Sequence, residues 1–343
     1  MDNRRKNNEV ISYLDLSSEI KGTYISEKNY EEDMKVVAEP FINRYKKSGY
    51  IKGINNIQLY YEKYIINEPK GNIVISHGFG EFTEKYNEII YYFINDGYSV
   101  FIIEHRGNGR SNRLGRDNCQ INVESFDNYI EDFKTFLEEV VMSECKKKPL
   151  LLFAHSMGGG IGSAFLEKYP EYFSGAVMSS PMHEIDTGKY PKIVALTVSS
   201  FLLAIGKGDE YLPGQKPYTG RRKFPSRSTS SENRFNYLYN LISNNESYQT
   251  GGSSAKWYYE AVNAVKRVVK PKNAGKVSIP VMILQAELDT HVIPRGHYKF
   301  AENAKNCKVV IVKGSKHESY YERDNITFHV IDKIMDFYNN VVK

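Results

Sequence analysis

Cysteine is scarce in this chain, and its placement follows no pairing pattern. Cys119, Cys145 and Cys307 stand far apart in a sequence of 343 residues, so neither a disulfide framework nor a thiolate metal site is indicated. Long apolar runs are missing as well. No stretch reaches the roughly 18–20 apolar residues that a spanning helix needs. The opening Met1-Asp2-Asn3-Arg4-Arg5-Lys6 leads into no apolar segment of signal-peptide length, and a cytoplasmic location is the expectation. An excess of one charge is also lacking. With 46 Lys and Arg against 41 Asp and Glu, the net charge is +5, too mild to point to a nucleic-acid partner. A nucleotide cradle is not indicated either. Glu104-His105-Arg106-Gly107-Asn108-Gly109-Arg110-Ser111 holds two glycines but lacks the G-x-x-x-x-G-K-[ST] spacing. Buried support for the floor of a site is the better reading of that loop.

What the chain does have is alternation. Tyr50–Ile66 holds two β-rich pieces around Gly53-Ile54-Asn55-Asn56, which predicts a hairpin. Short apolar runs at Asn72–Ser76, Tyr98–Ile103, Leu150–Ala154 and Gly175–Ser179 then alternate with helical patterns. One helix covers Tyr86–Asn95; another places Phe126, Tyr129, Ile130, Phe133, Phe136, Leu137, Val140 and Val141 on one face. Such a series predicts an α/β fold, a mostly parallel sheet with helices on both faces. Residues 1–35 are polar and charged, with partly irregular structure expected. After Ser179 the alternation stops and resumes only near Val277. Trp257–Val269 has a helical pattern that returns to the core. The expected organisation is therefore a core from 1–182, an inserted helical cap at 183–256, and the rest of the core at 257–343. A lid over an active site is the ordinary reason for so long an insertion.

Residues 149–160 read PLLLFAHSMGGG. A strand that turns sharply into a helix lifts the turn residue over the sheet end, here Ser156, where a base can activate its hydroxyl. The usual G-x-S-x-G pattern has become Ala154-His155-Ser156-Met157-Gly158, one methyl group away. The backbone N–H of Met157, at the helix start, points where an oxyanion would form. His155 is read as packing or orienting. In such sites acid and base follow the serine in that order. The exit of the strand Ile279–Gln285 carries Glu287, Asp289 and His291, and the loop after Cys307–Val312 carries His317. Asp289 is assigned to orient the imidazole and His317 to act as base and then acid, with Glu287 and His291 as fallbacks. The second oxyanion donor is the N–H of Phe79 in His77-Gly78-Phe79-Gly80-Glu81, since glycines allow close backbone approach. His77 and Glu81 are read as shaping that loop.

The succession HGFGE, EHRGNGRS, AHSMGGG, Asp289 and GSKHE resembles the α/β-hydrolase superfamily, and within it bacterial lysophospholipases and the related monoacylglycerol lipases. The resemblance spans roughly residues 36–340. It implies Ser156, Asp289 and His317 as the catalytic set and Phe79 and Met157 as backbone donors, with an inserted helical cap. It implies hydrolysis of a single-chain lipid ester; a soluble carboxylesterase or an aminopeptidase-like enzyme with the same triad is the alternative. An aminopeptidase would need a cap carboxylate for the substrate's amine, and Glu184, Asp186, Asp209 and Glu210 are available. A triad supplies nucleophile and proton transfer by itself, so no cofactor and no metal is expected.

The cap is more apolar and more basic than a small soluble ester requires. Ile193–Ile205 is an apolar helix too short to span a bilayer but suited to an acyl chain or a membrane interface, and equally to packing on the core. Lys216, Arg221, Arg222, Lys223 and Arg227 crowd one stretch, either a solvated loop or a contact for a phosphate head group or anionic lipid surface. The expected partner is a lipid ester, with peripheral membrane contact through the cap.

Overall fold

In this computed structural model residues 10–145, 148–188, 190–220 and 223–343 are described. Arg221 and Arg222 of the basic run lie outside them. A nine-stranded sheet is built from β1 (Ile11–Tyr13), β2 (Lys46–Lys52), β3 (Gln58–Tyr64), β4 (Gly71–Ser76), β5 (Tyr98–Ile103), β6 (Leu150–His155), β7 (Gly175–Ser179), β8 (Val281–Ala286) and β9 (Cys307–Val312). The strand order is β1-β9-β8-β7-β6-β4-β5-β3-β2. The ladders from β1 to β5 are parallel; β5–β3 and β3–β2 are antiparallel. The predicted hairpin is thus β2–β3, entered four residues earlier than the sequence suggests, and Asn55 and Asn56 take positive φ in its turn.

Among the described residues the helices of eight or more residues are α1 (Asn87–Asn95), α2 (Phe126–Phe136), α3 (Met157–Lys168), α4 (Lys192–Ala204), α5 (Glu232–Asn244), α6 (Ala255–Val268), α7 (Pro294–Ala301) and α8 (Asp324–Val342). Every residue of β4, β5, β6, β7 and β8 is buried, as expected for strands covered on both faces. Alternate side chains feed two cores. Ile73, Ile75, Leu151 and Phe153 join α1 and α8 on one face. Val74, Leu152 and Ala154 join α2 and α3 on the other. Phe153, ringed by Tyr86, Phe93 and Tyr320, should cost about 3–5 kcal/mol if cut to alanine.

Within the polar N-terminal segment, Ile11–Tyr13 pairs with Val309–Ile311 as the edge of the sheet, and Tyr30 is buried with its hydroxyl on Glu88 at 2.7 Å. Between β7 and α6 the chain leaves the sheet and carries α4 and α5. There Ala195, Leu196, Leu202 and Leu203 of α4 rest on a third apolar cluster that contains Met157, Met182 and Trp257.

Candidate active site

Four parallel strands end at one edge of the sheet, and each hands a loop to the same place. β4 runs into His77–Glu81, β6 into Ser156, β8 into Asp289 and β9 into His317. The serine turn is strained: Ser156 has φ 50° and ψ −117°, a region L-residues rarely occupy. Packing enforces it. A Cβ on Gly158 would stand 2.1 Å from the Ser76 carbonyl oxygen, and one on Gly159 would stand 2.5 Å from the Pro181 side chain. Gly162 of α3 faces the same strand, where a Cβ would stand 2.9 Å from Leu152 Cδ2.

Asp289 and His317 are joined. The imidazole Nδ1 donates to Asp289 Oδ2 at 2.7 Å, and both side chains are buried. Asp289 Oδ1 accepts the N–H groups of His291 (2.7 Å) and Val292 (3.2 Å). Burial alone would raise this carboxyl's pKa, but the His317 hydrogen bond and charge, with the two amides, hold it well below the usual carboxylate range. Ser156 and His317 line one cavity of about 950 Å³. The fallbacks have other partners. Glu287 accepts the Gly314 N–H at 2.9 Å and so braces the loop before His317. His291 also lines the cavity, its Nε2 3.2 Å from Ser228 Oγ and its ring 4.7 Å from that of His317.

Phe79 lies between two tethered amides. Gly78 N–H donates to Glu81 Oε2 (2.6 Å) and Gly80 N–H to Asn108 Oδ1 (2.9 Å). The Met157 N–H, first in α3, has no acceptor within its own helix. His77 bridges Gly78 O (2.7 Å) and the His105 N–H (2.9 Å), and burial pushes its pKa down to about 4. Arg106 is fully buried, forked onto Asp132 at 2.6 and 2.8 Å and onto the Ile54 carbonyl. The EHRGNGRS loop therefore supports the site floor as expected, with Asn108 reaching the Phe79 loop. His155 is buried against Ser179 O (3.1 Å), and burial lowers its pKa to about 3, which keeps it neutral.

Sequence reasoning missed Lys85, Glu318 and Tyr258. Lys85 is buried with Nζ 2.5 Å from Glu81 Oε1 and 2.7 Å from Glu318 Oε1. It ties the Phe79 loop to the residue after His317. Glu81, His155 and Glu318 come close enough to hold a metal ion, but the Lys85 ammonium already supplies a positive charge to both carboxylates. Tyr258, in the WYYE pattern of α6, is buried at the cavity wall, its hydroxyl without a partner among the described residues. No sequence signal separates it from its neighbour Tyr259. Among the cap carboxylates, Glu184 is engaged by Arg295 and Lys192, Asp209 by Lys256, and Glu210 by Arg116. Asp186 lines the cavity without an ion pair among the described residues.

The chain is similar to known proteins over most of its length. A probable lysophospholipase L2 of Haemophilus influenzae is 28% identical over 302 residues, covering 88% of this chain and 94% of that protein. Lysophospholipase L2 of Escherichia coli K12 is 29% identical over 299 residues, covering 84% and 86%. A crystal structure of a soluble variant of monoglyceride lipase from Saccharomyces cerevisiae superposes with a TM-score of 0.67 at 19% identity, over 86% of this chain and 96% of that one. It shows the shared fold. Residues 67–324 match the family described as serine aminopeptidase, S33, and the chain belongs to that family of α/β-hydrolases.

Proposed function

We propose that this chain is a serine hydrolase that cleaves the carboxylic ester of a single-chain lipid, a lysophospholipid or a monoacylglycerol. One observation carries the reading. The Ser156 hydroxyl and the Asp289-bound His317 imidazole share a large cavity that α4 and α5 roof with Val194, Ala195, Val198, Leu238 and Ile242. Such a space suits an acyl chain laid beside a nucleophile. The relatives named lysophospholipase support the substrate class.

The chemistry follows from the roles. Ser156 Oγ attacks the ester carbonyl while His317 Nε2 takes its proton, Nδ1 being held by Asp289. The oxyanion is met by the N–H groups of Phe79 and Met157 at the positive end of α3. Collapse expels the glycerol oxygen, which takes the proton from Nε2 and leaves an acyl-enzyme. Water activated by the same imidazole then releases the fatty acid. In this reading 183–256 is the cap and the flanking segments form the catalytic core.

The cap also offers a surface to lipid. Among the described residues no helix is long and apolar enough to cross a membrane. Yet α4 leaves Ile193 71% and Phe201 62% exposed, with Val194 and Ile205 beside them. An apolar helix face of this kind suits shallow insertion at an interface, which would deliver substrate to the cavity below. Fatty-acid release from lysophospholipids and monoacylglycerols, set against short nitrophenyl esters and aminoacyl anilides, tests the proposal. Turnover of the long-chain lipids is the expected result; a preference for anilides would overturn it and favour the aminopeptidase alternative, with Asp186 as the amine's partner.

A further inference from the structure

Resting on the reading of Ser156 and His317 as nucleophile and base, we propose that Arg227 binds the phosphate of a lysophospholipid head group and makes that class the preferred substrate over monoacylglycerol. The argument begins with charge on the cavity wall. Two lysine or arginine side chains among the described residues line the cavity, Lys85 and Arg227. Lys85 is neutralised by Glu81 and Glu318 at 2.5 and 2.7 Å. Arg227 makes no ion pair among the described residues. Its guanidinium is nonetheless held in place: Nε donates to Thr290 Oγ1 at 3.2 Å and Nη2 to the Thr290 carbonyl at 2.6 Å. A neutral carbonyl and hydroxyl orient the fork without cancelling its charge. The remaining N–H donors suit a phosphate, which a guanidinium binds in two-point fashion.

Position follows from the chemistry. The base that takes the serine proton must return it to the leaving oxygen, so the leaving group lies on the His317 side of the scissile bond. Arg227 is attached to that side by three links. It rests on Thr290, the residue after Asp289. Its neighbour Ser228 is 3.2 Å from His291 Nε2, whose ring packs 4.7 Å from that of His317. Ser228 O also accepts the N–H of Glu318, the residue after the base, at 2.9 Å. A glycerophosphate leaving group therefore carries its phosphate toward Arg227, whereas a bare glycerol leaves that charge without a partner. Among the described residues Asp186 on this wall also makes no ion pair, and its N–H donates to the His291 carbonyl at 3.0 Å. A carboxylate so placed disfavours a head group with several negative charges and suits a zwitterion. Lysophosphatidylcholine is accordingly the probe.

The test is kcat/KM for 1-palmitoyl lysophosphatidylcholine and for 1-palmitoylglycerol, on wild type, Arg227→Gln and Arg227→Lys. The ratio of the two should fall about 10–100-fold in Arg227→Gln, the range of a lost charge-assisted hydrogen bond. Arg227→Lys should recover part of it, keeping charge but not the fork. An unchanged ratio, whether both substrates decline together or neither does, overturns the proposal. A second measurement needs only the wild type. Glycerophosphocholine should inhibit hydrolysis of a short nitrophenyl ester, while glycerol should not. Equal inhibition by inorganic phosphate would mark a general anion site and overturn the substrate assignment. A wild type inert to both lipids would bring down the lipid reading itself, a result distinct from an unchanged ratio.

Discussion

The rim of the sheet and the insert above it are held by different forces. At the rim, each reactive group is fixed by short backbone turns and buried hydrogen bonds: Gly158 pressed on the Ser76 carbonyl, Asp289 on two amides, Phe79 between two tethered neighbours. The insert divides within itself. Its second helix, α5, is clamped by Arg234, fully buried and bonded to Glu88 (2.8 Å), Asp324 (2.9 Å) and the carbonyls of Ile25 and Glu322. Its first helix, α4, buries only Ser199 among its residues. The difference is one of anchoring: a rim fixed by buried hydrogen bonds, one inserted helix clamped by a buried arginine, and one that rests on the molecule through half-buried apolar side chains.

The sharpest break would be at the rim. Ser156→Ala should reduce kcat on every ester by on the order of 10⁴–10⁶, measured with both lipid and soluble substrates; a loss confined to lipids would blur the distinction between rim and cap. Next is the anchor. Arg234→Met strands Glu88 as a buried charge and should cost about 3–5 kcal/mol of stability, read from the denaturant midpoint. A negligible shift would mean that α5 is no more fixed than α4. Smaller is the effect of Phe201→Asp, which should weaken binding to phospholipid vesicles about tenfold through lost apolar burial. Turnover of a short soluble ester serves as the control, and unchanged vesicle binding would remove α4 from the membrane account.

A separate effect, read as a pH dependence, lies on α3. Burial raises the Glu167 carboxyl pKa to about 8, and its Oε1 has no hydrogen-bond partner among the described residues. A folded pKa above the unfolded value means that the native state holds the proton more tightly. That contribution is complete below about pH 4 and is lost as pH rises toward 8. Thermal melts should therefore show wild type losing stability across this window, and Glu167→Gln should flatten the slope. Parallel curves for the two proteins would contradict the assignment.

Rim and insert also differed in how far the sequence disclosed them. Strands such as Leu150–His155 are continuous apolar runs between turn residues, and period alone finds them. Ser156, Asp289 and His317 follow because parallel strands deliver their loops to one edge, so motif order constrains space. Ile11–Tyr13 offered too few residues for any period to register, and its pairing with β9 crosses nearly the whole chain. Arg234 and Lys85 sit in helical stretches, ENRFNY and TEKYNE, whose charges read as solvated. Only tertiary packing brings Glu88 to one and Glu318 to the other. The basic run was visible as composition, but Arg227's place beside Thr290 was not, because that contact joins positions 63 residues apart.

Covalent labelling addresses the central claim most directly. A fluorophosphonate is attacked at phosphorus, with loss of fluoride, only by a serine whose hydroxyl is activated and whose oxyanion is accommodated. Peptide mapping by mass spectrometry after brief treatment should find the adduct on Ser156, with labelling abolished in His317→Ala. An unlabelled protein, or an adduct on a different serine, would contradict the account.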